Sequence, residues 1–203
     1  MSNNTSFSLQ GKLLIATPEM DDPNFKRSVV YMCIHDETHA LGLIINRKKS
    51  GLTLSDILTQ VPPELQKHGQ VSDQYMKPVL FGGPVGTEQG FVLHTALDEG
   101  VTHPPSKDAP LSMPLTETLF LTAHASILTT LLSETPPRHA LLALGYAGWD
   151  AGQIEDEIKD NCWIVVESND ELIFDPDLDQ KWDKALAKLG ITADQLASQT
   201  GLT

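Results

Sequence analysis

Apolar residues in this chain fall into short, nearly unbroken runs separated by turn-forming residues. "KLLIA" (12–16), "SVVYMCI" (28–34) and "LGLIIN" (41–46) are rich in β-branched side chains and predict strands. The loop between the first two is punctuated by Pro18 and Pro23. "TLSDILTQV" predicts a short helix, with Thr53 as N-cap and Asp56 three residues on, stopped by Pro62 and Pro63. "VLFGGPV" and "GFVLHTAL" read as two strands joined through Gly86 to Gly90, a loop of hairpin length. A Pro/Ser/Asp-rich loop from His103 to Pro114 leads into the strand "TLFLTA".

The spacing then changes. Ile127, Leu128, Leu131 and Leu132 recur at the helical period in "ASILTTLLSE". "ALLALGYA" predicts a buried strand, "QIEDEIKD" a short helix, and "CWIVVE" and "LIF" two further strands. "DLDQKWDKALAKLG" and "TADQLASQT" predict closing helices, with Gly190 and Gly201 as their stops. Strands that mostly pair locally, interrupted singly by helices, predict an α+β fold with a mixed, strongly curved sheet. No repeat or linker divides the chain, so one domain over residues 1–203 is expected. Residues 1–8 would form a flexible N-terminus, and 192–203 a C-terminal helix and tail.

Charge narrows the function. The 203 residues carry a net −13, divided as −3 over residues 1–100 and −10 over 101–203. Such a surface repels phosphate backbones, which argues against nucleic-acid partners. Arg47, Lys48 and Lys49 form the one local basic cluster, read as solvated. No apolar run reaches the length of a spanning helix, and the start lacks a basic n-region followed by an apolar stretch. Cys33 and Cys162 lie far apart in apolar surroundings. A cytoplasmic protein with reduced thiols and no membrane association is expected.

Chemical motifs are sparse. "HDETH" (35–39) nearly spells a zinc motif, but its flanks are strands and its Glu is one place late, so a hairpin turn is expected. His68, His94, His103, His124 and His139 show no ligand spacing. "FGGPVG" lacks the Lys and the following helix of a phosphate loop, so Gly82 and Gly83 are read as allowing positive φ or close backbone approach. The C-terminal segment resembles helix-turn-helix but offers no reading helix with Arg or Lys. Neither a metal nor a cofactor is expected.

"ALGYAGWDAGQIEDEIKDNCW" (143–163) is the densest stretch. Asp150 is expected to N-cap the helix, Gln153 to complete a capping box, Ile154 and Ile158 to face the core, and Glu155 to pair with Lys159. Trp149 would cover the core edge or line a cleft beside Glu157.

"LLIATPEMDDPNFKRSVVYMCIHD", "GLIINR", "FGGPVGTEQGFVLH", "LGYAGWDAGQIEDEI" and "NCWIV" together resemble the YqgE/AlgH family of bacterial proteins over residues 9–191. The resemblance implies an α+β fold of coiled, bifurcated sheets and a cytosolic protein. It implies no reaction. One branch is named for a proposed role in regulating alginate production, from which a transcriptional role has been suggested. Family motifs fall on Gly82, Gly83 and Pro84, on Gly90 to His94, on Gly145 to Trp149, and on Gly152 to Glu157 with Ile154 for Leu. His124-Ala125-Ser126 stands where relatives often carry Ser-Arg-Asp, which weakens an enzyme reading.

The leading expectation is a non-enzymatic binding or regulatory module for a protein or small ligand. Its candidate contacts are Asn46, Gly82, Gly83, Pro84, His94, Trp149, Gln153 and Glu157. The first alternative is an enzyme, hydrolytic in kind, using His94 with Glu157 or Asn46 in one pocket. The second is a transcriptional regulator without an obvious DNA-reading helix.

Overall fold

The computed structural model describes residues 8–59, 78–96, 112–133, 136–192 and 195–196. Ten strands run in chain order: β1 (Lys12–Ala16), β2 (Val29–His35), β3 (His39–Ile44), β4 (Lys48–Thr53), β5 (Pro78–Phe81), β6 (Val85–Thr95), β7 (Ser112–Pro114), β8 (Leu119–Thr122), β9 (Ala140–Asp150) and β10 (Trp163–Glu167). Five short helices join them: α1 (Leu54–Leu58), α2 (Ile127–Leu131), α3 (Gln153–Lys159), α4 (Asp170–Ile173) and α5 (Lys181–Ala187). The expected α+β class holds.

The strands form one curled sheet in the order β10-β1-β2-β3-β9-β6-β8-β7. Every pairing is antiparallel except that of β5 with β9, which is parallel. The sheet forks at β9. On one edge of β9, β5 pairs with Ala143 and Leu144, and β3 takes over from Ala147 to Asp150. On the other edge, β6 pairs from Ala140 to Leu144 and again at Tyr146.

β5 and β6 therefore flank β9, one on each edge, instead of pairing with each other as the expected hairpin would. Residues 82–84 carry the chain across β9 from one edge to the other. A Cβ on Gly82 would collide with the Gly145 carbonyl, and one on Gly83 with backbone atoms of Tyr146 and Ala147. Gly145 yields from below, with φ +74. Close backbone approach is thus what the Gly-Gly pair provides.

The continuous apolar character of β2 follows from burial on both faces. Val29, Tyr31 and Cys33 join one core cluster with Leu13, Leu43 and Leu93; Val30 and Met32 join another with Leu14, Trp149 and Trp163. A third cluster sits under α1 and α2, where Leu54, Leu58, Ile127 and Leu131 meet Val79, Val92 and Leu142. The helix over "LSDIL" is closed by the expected reciprocal cap between Thr53 and Asp56.

Several expectations are corrected. "LIF" (172–174) lies in and just after α4, because Asn169 accepts the Leu172 N–H at 3.1 Å and starts a helix there. β4 and β7 were not expected as strands; β4 carries the solvated residues Lys48 and Ser50, so no apolar pattern marks it. Arg47 is not solvated: its guanidinium donates to the carbonyls of Pro23, Asn24 and Lys26 at 2.8–3.1 Å and ties down the loop before β2. The predicted helix "TADQLASQT", the stop at Gly201 and both expected termini lie wholly or largely outside the described residues. Gly190 does end its segment, with φ +69.

Candidate functional site

"HDETH" is a turn. Asp36 Oδ1 accepts the Thr38 N–H, the Thr38 hydroxyl and the His39 N–H at 2.6–3.1 Å, bending β2 back into β3. The Thr38 hydroxyl bond and its neighbours hold the Asp36 carboxyl down at about 2. His35 faces elsewhere: its Nδ1 accepts the Leu9 N–H and its Nε2–H donates to Glu155 at 2.9 Å. Glu155 is therefore the partner of His35, and Lys159 binds Asp156 at 2.7 Å, not Glu155.

β9 delivers Trp149 to the rim of the sheet, and α3 returns Gln153 and Glu157 to meet it. The N-cap is Gly152, with φ +78, not Asp150, which is the last residue of β9. Gln153 reaches back instead, its Oε1 accepting the Asp150 N–H at 3.1 Å. Its amide nitrogen donates to Glu157 Oε1 at 2.8 Å. Glu157 Oε2 then accepts two indole N–H groups, from Trp149 at 3.0 Å and Trp163 at 2.7 Å. Phe25 closes the cage, stacked on Trp149 at 6.1 Å and edge-on to Trp163 at 5.6 Å.

Both indoles are buried, while Gln153 is exposed and Glu157 half-buried. Three N–H donors engage the Glu157 carboxylate, two on Oε2 and one on Oε1, so it works as a strut joining α3, β9 and β10. Glu157→Ala would strand two buried indole N–H groups at roughly 1–3 kcal/mol each, for a loss of about 3 kcal/mol in urea unfolding. Glu157→Gln keeps one acceptor oxygen and should lose about half of that. Equal stability of Glu157→Ala and wild type would sink the strut.

The other sequence candidates scatter. Asn46 Oδ1 accepts the Val29 N–H at 2.8 Å and its Nδ2 donates to the Arg27 carbonyl at 2.9 Å, which makes it a backbone surrogate at the far end of β3. His94 is 2 % exposed. Its Nδ1–H donates to the Thr95 carbonyl at 2.9 Å, and its Nε2 accepts from the Thr122 hydroxyl at 3.0 Å, which in turn contacts Ser112. His94 sits opposite Ala140 at one end of β9, and Trp149 at the other end. Nine strand residues at about 3.3 Å each separate them by roughly 25–30 Å. His94 and Glu157, which binds the Trp149 indole, therefore do not share one pocket.

Gly82 and Gly83 are buried in the crossover, and Pro84, its last residue, is exposed. The crossover nonetheless ends beside the Trp149 turn. Val85, Tyr146, Gly148, Trp149, Asp150 and Gln153 line an open groove of about 510 Å³ together with His39, Ala40 and Leu41. Sequence reading missed Val85, Tyr146 and Gly148. Each lies within one or two residues of a candidate, but nothing in the chain shows that "PV" and "YAGW" meet. Trp163, the second indole on Glu157, was within reach as the aromatic of "NCWIV". Among the described residues no group of His, Cys, Asp and Glu is arranged to hold a metal.

Fold and site together define an α+β protein whose sheet forks around one long strand, with an indole–carboxylate cage beside the fork. The chain belongs to the AlgH-like family (DUF179), whose sequence model matches residues 13–194. It is 43 % identical over 196 residues to a UPF0301 protein of Caulobacter vibrioides, covering 95 % of this chain and 93 % of that one. A UPF0301 protein of Vibrio cholerae is 41 % identical over 194 residues, with 96 % and 98 % covered. The solution structure of the AlgH protein from Pseudomonas aeruginosa superposes with a TM-score of 0.70 at 34 % identity, covering 97 % of both chains. A Corynebacterium diphtheriae protein shares the fold at 18 % identity and a TM-score of 0.65, over 90 % of this chain and 88 % of that one.

Proposed function

We propose that this protein is a binding module, without catalysis of its own, whose partner enters the groove at the fork of the sheet. The observation that carries this reading is the meeting of Val85, at the end of the Gly-Gly-Pro crossover, with Trp149 and Gln153 in one groove. An aromatic wall with a few polar groups beside it is the composition of a contact patch. The engagement of Glu157 and the separation of His94 from it argue against hydrolysis at these residues. A regulatory role through such a partner fits the family's name better than direct DNA contact, given the net charge of −13. Free Cys33 and Cys162 favour a cytoplasmic setting, and the single continuous sheet favours one domain.

Thermal unfolding against metals, nucleotides, sugars, acyl carriers, peptides and short nucleic acids tests the reading. A ligand at a hundred times its dissociation constant should raise the midpoint by roughly 5–10 °C. That shift should vanish in Val85→Lys and Gln153→Ala, both of which alter exposed side chains. A shift untouched by both variants would move the site elsewhere and overturn the proposal.

A further inference from the structure

On the edge of β9 that faces away from β3, β6 departs at Val85, because the chain crosses over β9 at residues 82–84. From Ala147 to Asp150 no described strand takes its place. The ladder alternates, so residues 146, 148 and 150 turn their backbone groups to this side. Val85 takes Tyr146. At Asp150 the Gln153 carboxamide stands where a neighbouring strand's peptide would, accepting the N–H at 3.1 Å. Between them Gly148, exposed and without a side chain, presents its N–H and C=O to the groove.

The walls of the groove specify what could lie there. Val85, 40 % exposed, is one of only two large apolar side chains so exposed among the described residues. It pairs with Tyr146 at one end of the groove. Asp150 lies at the other end, no Lys or Arg lines the groove, and the whole chain carries −13. Short unpaired edges that keep a pocket for alternate side chains are where extended peptides add as a strand. A second copy of this chain would bring the same negative charge to a stretch only a few residues long, which disfavours self-pairing.

We infer that this edge takes a short extended segment of another protein, one that pairs its backbone with Gly148, sets an apolar side chain on Val85 and carries basic side chains toward Asp150. The inference rests on the groove proposed above and names the chemistry of its occupant. Gln153 is the placeholder, displaced or retained according to how far the segment runs along β9.

The test uses the full chain and a fluorescein-labelled, end-capped hexapeptide of alternating lysine and valine, read by fluorescence anisotropy at low salt. Saturable binding is expected, with the Gly148 and Val85 amide resonances shifting on titration. Val85→Lys and Asp150→Lys should each weaken it about tenfold. The same peptide N-methylated at alternate residues keeps its charge but cannot pair, and should lose binding. Equal affinity of the methylated peptide, or of Val85→Lys, would show charge attraction alone and overturn the strand-addition inference. Absence of binding at millimolar peptide, or dimerisation through this edge in sedimentation, would overturn it too. If a small ligand instead raises the unfolding midpoint in a Val85- and Gln153-dependent way, the groove stands and only the peptide assignment falls.

Discussion

Gly83→Ala is expected to prevent the sheet from closing, with a loss of more than about 4 kcal/mol, at the upper end of single-substitution effects. The added methyl would meet the Tyr146 carbonyl carbon and oxygen and the Ala147 nitrogen, all backbone atoms of the central strand. A flexible side chain could turn away from such a collision; a strand paired on both edges cannot. The expected readout is insoluble protein, or a chain without a cooperative unfolding transition. Gly152→Ala provides the comparison, because Gly152 has φ +78 but open space around it. It should cost only about 1–2 kcal/mol, the penalty of a left-handed backbone. If Gly83→Ala proved as mild as Gly152→Ala, the crossover account of the Gly-Gly-Pro motif would be wrong.

Lys181→Ala should lose about 4 kcal/mol, lowering the unfolding midpoint by roughly 8–16 °C for a chain of this size. Lys181 is fully buried at the start of α5. Its ammonium donates to the Ile45 carbonyl at 3.0 Å and the Ile173 carbonyl at 2.8 Å, joining the end of β3, α4 and α5. Next to it the Trp182 indole donates to the Ala16 carbonyl at 2.8 Å. Truncation would withdraw a donor from two buried carbonyls and leave a cavity. Lys181→Met keeps the volume and should recover about half of the loss. Differential scanning calorimetry on both variants decides this; a midpoint for Lys181→Ala within a degree or two of wild type would remove Lys181 as the pin of α5.

Much of the fold was legible because some strands, β2 above all, are buried on both faces, and a run such as "VVYMCI" cannot be mistaken for solvent-facing helix. Thr53 with Asp56 was legible for a similar reason: the cap is made within one turn of chain. "LIF" was misread because three apolar residues carry no period, and only the Asn169 cap decided for helix. The site was legible in part. Trp149, Gln153 and Glu157 are close in sequence and meet in space. His94 and Asn46 are polar residues at strand ends whose bonding partners lie 17 or more residues away, except for the neighbouring carbonyl that His94 binds. Their residue types suggested chemistry, and their surroundings made them structural.

Residue types and their spacing are enough for the family, the α+β class, most strand positions, and a special backbone role at Gly82 and Gly83, either positive φ or close approach. These depend on residue type and on spacing along a few turns of chain. Tertiary structure alone decided that β5 and β6 straddle β9, that Glu157 holds two indoles, and that Val85 and Trp149 share a groove. Each of those facts joins segments separated by six to more than sixty residues. Such pairings are selected by which buried faces and backbone groups satisfy one another across the whole sheet, and no local propensity encodes that choice.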